Sequence, residues 1–436
     1  MTTTSINATH VDALASGAPE WAGSLRRAAW ERHLEMPAPT PYEEVWRFTD
    51  MSLLDLSTFG RVQAQSAPPA TTGETSAFDL AGGSAAGTAT HIDSLHAGTE
   101  LSEDARAAGI VYMPLDKALV EHEDIVRPRL GSLVGASDHF TSWQLATHSG
   151  GMFLYVPRDV VVEQPISSLH RLTAGGVAVA TRTLVVVEPG AKVVFNDVYT
   201  GQALDSPSLH APVVELFIGQ GASVGWLTWQ DLGPGTRHLA HVKAHLERDA
   251  RLESLVVTLG GDYSRTWKEC AMAGEGSSSV MLGLFFPHGS QRFEHWTVQD
   301  HVRPHTTSDL LYKGALADDS NCVYYGTIRV RPGAARTDAY QANRNLALSP
   351  KARVVTQPQL EIENNDVRCT HGATIGQVDP DHLFYIQSRG VEREQAEQLV
   401  VFGFFNEVLE RVQWSGMHER LADAIATKMK LQRGVS

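Results

Sequence analysis

Cysteine is scarce in this chain. Only Cys270, Cys322 and Cys369 occur in 436 residues, an odd number and far apart. That spacing excludes a disulfide framework and fits a reducing, cytoplasmic setting. No Cys-x-x-Cys is present, so a self-contained structural zinc site is not expected. Long apolar runs are missing too, and none approaches the ~18 residues that a membrane-spanning helix needs. Residues 1–17 are polar, without the basic and apolar regions of a signal peptide. Basic residues are in deficit: 36 Lys and Arg stand against 50 Asp and Glu, for a net charge of −14. A chain this acidic is a poor match for nucleic acid or an anionic membrane surface. No Gly-x-x-x-x-Gly-Lys-[Ser/Thr] occurs, so no ATP is expected on this chain. The Gly-x-Ser-x-Gly nucleophile elbow is absent as well.

What is present changes texture along the chain. Residues 1–19 are rich in Thr, Ser and Ala and are expected to be loose. Residues 20–36 have helical spacing, ended by Pro37, Pro39 and Pro41. Small residues with Pro68-Pro69 and Gly82-Gly83 make 61–90 a flexible linker. Helical spacing returns over 114–134 and 138–149. Residues 1–150 therefore read as a mainly helical N-terminal region with a flexible 61–90 break.

From 151 to 388 short strands alternate with turns. Residues 239–247 are the clearest case. Ala240, Val242, Ala244 and Leu246 share one face, and His241, Lys243, His245 and Glu247 share the other, which predicts a half-buried strand. Turn segments recur, among them Pro189-Gly190-Ala191, Gln220-Gly221-Ala222, Arg248-Asp249-Ala250 and Gly274-Glu275-Gly276-Ser277. Their spacing is roughly 26–31 residues, a period that signals stacked units. A single unit of that kind cannot bury its own apolar face, so units stack. The fold class is mainly β over 151–388: a solenoid, sandwich or barrel. After 389 the spacing is helical again, giving a C-terminal helical domain at 389–436. Residues 392–412 place Leu399, Phe402, Phe405, Leu409 and Val412 on one stripe. A second helix over 417–431 carries Lys428, Lys430 and Arg433 toward its negative pole, with Gly434 after it.

One short stretch concentrates the chemistry. In Asn364-Asn365-Asp366-Val367-Arg368-Cys369-Thr370-His371-Gly372-Ala373-Thr374 a resumed strand sets Cys369 and His371 two apart on one face. A thiolate beside an imidazole suits iron, zinc or an iron–sulfur centre. Two ligands cannot close a four-ligand site, so the remainder must come from elsewhere, most simply from a second subunit. His295, Asp300 and His301 form a second candidate, as acid/base groups of a β-solenoid enzyme. Against a metal there, His301 and His305 on one strand sit about 13 Å apart, so hydrogen bonding between turns is the preferred reading. Cys270 and Cys322 are expected as inert thiols. Tyr340, Gln341, Asn343, Arg344 and Asn345 are expected to form a polar ladder or turn.

The stretch also carries a resemblance. Cys369-Thr370-His371-Gly372-Ala373-Thr374-Ile375-Gly376-Gln377 is similar to a segment of the SufB/SufD family of iron–sulfur assembly scaffolds. Flanking motifs agree in order and spacing: Leu311-Tyr312-Lys313-Gly314-Ala315-Leu316, the run from Thr337 to Leu346, Pro358-Gln359-Leu360-Glu361-Ile362, and the run from Leu383 to Gly390. The His-Gly-Ala-Thr segment and the small cysteine count resemble the SufD branch. The resemblance implies a right-handed parallel β-helix flanked by helical regions. It implies a non-enzymatic cytoplasmic scaffold that pairs with a SufB-like subunit and docks a SufC-like ATPase, or forms a homodimer when these are absent. Cys369 and, more firmly, His371 are then ligands to a transient iron–sulfur cluster or iron shared with SufB. Phe404, Phe405 and Leu409 are candidate ATPase contacts. The rivals are the His295/Asp300/His301 enzyme, a purely structural SufB-stabilising partner, and a SufB-type subunit, against which the His-Gly-Ala-Thr segment argues.

Overall fold

The computed structural model describes residues 5–62, 85–412 and 417–431. Two sheets run the length of the molecule, one of twelve strands and one of ten. The chain passes between them alternately for about eight turns, pairing each strand in parallel with its counterparts one turn away. Of the three all-β architectures open to the sequence, the fold is the β-solenoid. Val224 faces Leu252, which faces Ser279, and Leu310 faces Gln341, which faces His371. Those steps of 28, 27, 31 and 30 residues match the spacing of the turn segments.

The turn segments form stacked corners. Gly190, Gly221 and Gly276 have positive φ, and Asp249 takes the same corner position at φ 56°. A left-handed corner is cheap for Gly and tolerable for Asp. The next residue, Ala191, Ala222, Ala250 or Ser277, is fully buried, and its N–H donates to the carbonyl three residues back. Corner stacks on corner, so only a small side chain fits. The strand Thr236–Leu246 shows the predicted alternation: Ala240, Val242, Ala244 and Leu246 face inward and the residues between them face outward. The interior is filled by large apolar side chains such as Phe195, Trp226, Phe285 and Phe293.

The N-terminal region is less helical than its spacing suggests. Helices form at Ala8–Ser16, Glu20–Glu35 and His139–Thr147, the last held by a capping box from Asp138. Yet Gly87–Ile92 is a strand paired in parallel with Ile166–Leu172, and Leu95–Leu101 adds an antiparallel edge. Val111–Pro114 joins the other sheet beside Met152–Val156. Both sheets thus begin before residue 151. These strands are short and pair with distant partners, so local periodicity does not reveal them. Of the expected linker, residues 63–84 lie outside the described residues, as do Arg433 and Gly434.

The C-terminal helices Pro380–Gln387, Arg393–Leu409 and Met417–Leu431 follow the last turn. Val401, Phe405, Leu409, Leu421, Ile425 and Met429 pack against Leu282, Leu284 and Leu311 of the ten-stranded sheet. Glu407 clamps this contact. It pairs with Lys313 at 2.6 Å and Arg344 at 2.7 Å, and Lys313 also donates to the Phe404 carbonyl. Leu399, expected on the apolar stripe, is 54% exposed, because the buried stripe is centred on Val401, Phe405 and Val408.

Candidate functional site

The solenoid is covered at its start and bare at its end. Arg353–Ile362 ends one sheet and Val367–Gln377 ends the other. Among the described residues each pairs on one edge only, with Asn321–Val330 and Thr337–Ala347 respectively. Two strands of 10 and 11 residues therefore present unpaired backbone groups side by side. The interior positions of this last turn are uncovered too. Leu360, Ile362 and Ile375 are 37%, 42% and 54% exposed, although Ile328 and Val330, one turn earlier beneath the first two, are fully buried.

Cys369 and His371 sit on that last strand, on its inward face. At the corner one turn earlier Arg336 has φ 59°, and its N–H donates to the Asp366 carbonyl just before the last strand. Asn364 accepts from the Asp366 N–H at 3.0 Å, closing the Asx turn that lets the strand resume at Val367. Cys369 packs against Ile328, Val330, Ala334 and Ala339 and is partly buried. That burial, with Asp338 nearby, pushes its thiol pKa up, so a metal must displace a proton to bind it. His371 lies one alternation further along and is exposed. Its register partner is Gln341, whose Nε2 donates to the Gly326 carbonyl at 3.1 Å and whose Oε1 is buried without a partner among the described residues. Thus the expected pairing on one face is present, with a soft donor at the rim of the interior and an imidazole in the open. Among the described residues no group of three or more His, Cys, Asp or Glu is placed to hold a metal ion.

The other sequence candidates disperse. His295 and His301 face the interior of the solenoid while Asp300 faces outward and pairs with Arg331 at 2.9 Å. His295 stacks on Phe285 at 4.8 Å, and burial pulls its pKa down to about 3. His301 is bonded to Thr306 and Ser308, both at 2.8 Å, and burial pulls its pKa down to about 4. Strand alternation therefore forbids the His295/Asp300/His301 acid/base constellation: the three side chains do not converge. Cys270 and Cys322 are buried in the core, the former pushed up to about 12. Of the five residues expected as a polar ladder or turn, Gln341, Asn343 and Asn345 face inward, with Asn343 donating to the Tyr312 carbonyl at 3.2 Å and Asn345 to Asn343 at 2.6 Å, while Arg344 turns outward to Glu407 and Tyr340 is exposed.

The candidate ATPase contacts need correction. Phe405 and Leu409 are 1% and 0% exposed because they anchor their helix on the sheet, so neither is available to a partner. Phe404 is half-buried beneath the Lys313 ammonium, 4.7 Å from its ring centre. Among the described residues, the large apolar side chains left outside on this helical layer are Phe384 at 72%, Tyr385 at 58% and Leu399 at 54%. Phe384 and Tyr385 fall within the motif from Leu383 to Gly390, so the signal was in the sequence, but helical spacing alone did not separate outward from inward positions.

Comparison with known proteins agrees with this geometry. Residues 170–404 match the SUF-system iron–sulfur cluster assembly SufBD core domain. The iron–sulfur cluster assembly SufBD family protein Rv1462 of Mycobacterium tuberculosis is 31% identical over 339 residues, 75% of this chain and 84% of the relative. The iron–sulfur cluster assembly protein SufD of Bacillus subtilis is 26% identical, covering 94% of this chain and 95% of its own length. SufB of the same organism is 28% identical over 70% of this chain and 66% of its own length. No described helix is long and apolar enough to cross a membrane. The β-solenoid, its open last turn and the matched core domain together make this chain a member of the SufB/SufD family of the SUF iron–sulfur cluster assembly system.

Proposed function

We propose that this chain is a SufD-type scaffold subunit that pairs with a SufB-type subunit through the open end of its solenoid. The carrying observation is that end: two unpaired strands, an uncovered apolar interior, and Cys369 and His371 at its rim. A second solenoid placed there continues both sheets, covers Leu360, Ile362 and Ile375, and brings further ligands to the two donors. The nascent iron–sulfur cluster is cargo held between the subunits, with His371 and Cys369 supplying this chain's share. Agreement with a SufD along nearly the whole chain supports the SufD-type reading over the SufB-type one. The chain acts as a cytoplasmic scaffold rather than an enzyme, and ATP is handled by a SufC-type ATPase docked on its C-terminal helices. The corrected docking surface is Phe384, Tyr385 and Leu399.

The test is anaerobic co-production with a SufB-type and a SufC-type protein, followed by iron and sulfide analysis of the purified complex. His371→Ala is expected to lower both by at least half while the three proteins still co-elute. Full iron and sulfide in that variant would leave only the role of a structural partner for SufB.

A further inference from the structure

A cleft of about 290 Å³ lies on the outer face of the twelve-stranded sheet, under the N-terminal region and away from the open end. Trp46, Phe140 and Trp143 wall one side, and Leu239, His241 and Trp267 wall the other. Its polar groups are nearly all satisfied. Lys243 pairs with Glu269 at 2.8 Å. Arg265 pairs with Glu294 at 2.6 Å and lies 4.0 Å from the centre of the Trp46 ring. Asp138 accepts the Phe140 and Thr141 N–H groups, both at 2.9 Å, as a helix cap.

His241 is the exception. It lines the cleft, half-buried, and its imidazole makes no hydrogen bond with any described residue. Burial holds its pKa down to about 4, Asp138 opposing and Lys243, Arg182 and Arg265 assisting. At neutral pH the ring is therefore uncharged, with one nitrogen donating and the other accepting. Beside it the Lys243 ammonium retains spare protons and the Glu269 carboxylate spare lone pairs.

We propose that this cleft binds an uncharged planar heterocycle of nucleobase type. Indole walls favour a flat ring, and His241, Lys243 and Glu269 supply both donors and acceptors to the polar edge of such a ring. The charges are paired off, so a phosphate finds no free cation there: the site suits a base or nucleoside and not a nucleotide. The inference is independent of the scaffold role.

Three of the nine tryptophans line the cleft, so their emission reports on occupancy. The full chain is titrated with adenine, uracil, indole and adenosine monophosphate, with ligand-detected magnetic resonance in parallel. Saturable binding of adenine or uracil is expected, weakened about tenfold in His241→Leu, the loss of a buried hydrogen-bonded contact, and unchanged in His245→Leu, on the same strand face but outside the cleft. Glu269→Gln, with the same expected weakening, serves if His241→Leu does not fold. Absence of binding by either base up to about 5 mM, a weak-ligand limit, overturns the proposal. So does indole binding equally well with no loss in the variants, which makes the cleft an apolar crevice. Tighter binding of adenosine monophosphate than of adenine overturns the exclusion of phosphate.

Discussion

Single side chains here take their chemistry from which face of a strand they occupy. Cys369 and Cys270 are both inward-facing thiols, yet Cys270 is sealed while Cys369 sits at the rim, because no further turn covers it. Lys268 shows the cost of facing inward. It is 2% exposed, its Nζ has no partner among the described residues, and burial lowers its pKa to about 7, with Cys270 opposing. An unfolded lysine titrates near 10.4. Between pH 7 and about 10.4 the unfolded chain holds a proton that the folded chain has shed, so folding stability rises with pH across that window. Below pH 7 both states are protonated and the penalty is complete. A tenfold loss of proton affinity on folding corresponds to roughly 1.4 kcal/mol. Lys268→Met is therefore expected to stabilise the protein by a few kcal/mol at pH 7 and by much less near pH 10. Urea unfolding at both pH values checks this, and a gain that is the same at both would contradict it.

At the scale of elements, the C-terminal helices divide their apolar residues between two tasks. Phe405 and Leu409 hold the helix Arg393–Leu409 to the sheet, while Phe384 and Tyr385 face solvent one helix earlier. Truncating a buried Phe removes its transfer free energy and leaves a cavity, so Phe405→Ala is expected to cost about 3–5 kcal/mol. It should also raise hydrogen exchange in the helices after residue 390. Phe384→Ala removes an exposed ring and is expected to change stability by under ~0.5 kcal/mol. If Phe384 contacts the SufC-type ATPase, the same variant should weaken that association at least tenfold in a binding titration. Equal affinity for Phe384→Ala and the native chain would move the docking surface elsewhere. Hydrophobic spacing located these helices, but it spread their stripe over Leu399, which is outside, because periodicity cannot tell which sector of a helix meets a sheet that lies some hundred residues earlier in the chain.

For the whole molecule, the two ends of the solenoid differ. The start is closed by the antiparallel edges and N-terminal helices, whereas the end leaves Leu360, Ile362 and Ile375 exposed. Without partners the native chain is expected to self-associate through this end, and Ile375→Lys should shift it to monomer in sedimentation experiments while abolishing capture by a SufB-type subunit. A variant that still dimerises would place the contact on another surface. Much of this architecture is legible in the chain itself. The 26–31-residue recurrence of turns implies stacking, because one turn has too little partner surface to bury its apolar face. The strict alternation over 239–247 and the spacing of Cys369 from His371 fix which residues share a face, since side chains alternate along any strand. Tertiary structure alone decided the rest. It drew strands from residues 87–114 into the sheets through partners far along the chain, set Asp300 outward from His295 and His301, and sealed Phe405 and Leu409 inside. It also left the last turn uncovered, because burial depends on what lies above a residue in space, and neither pairing nor exposure is encoded in any local run of residues.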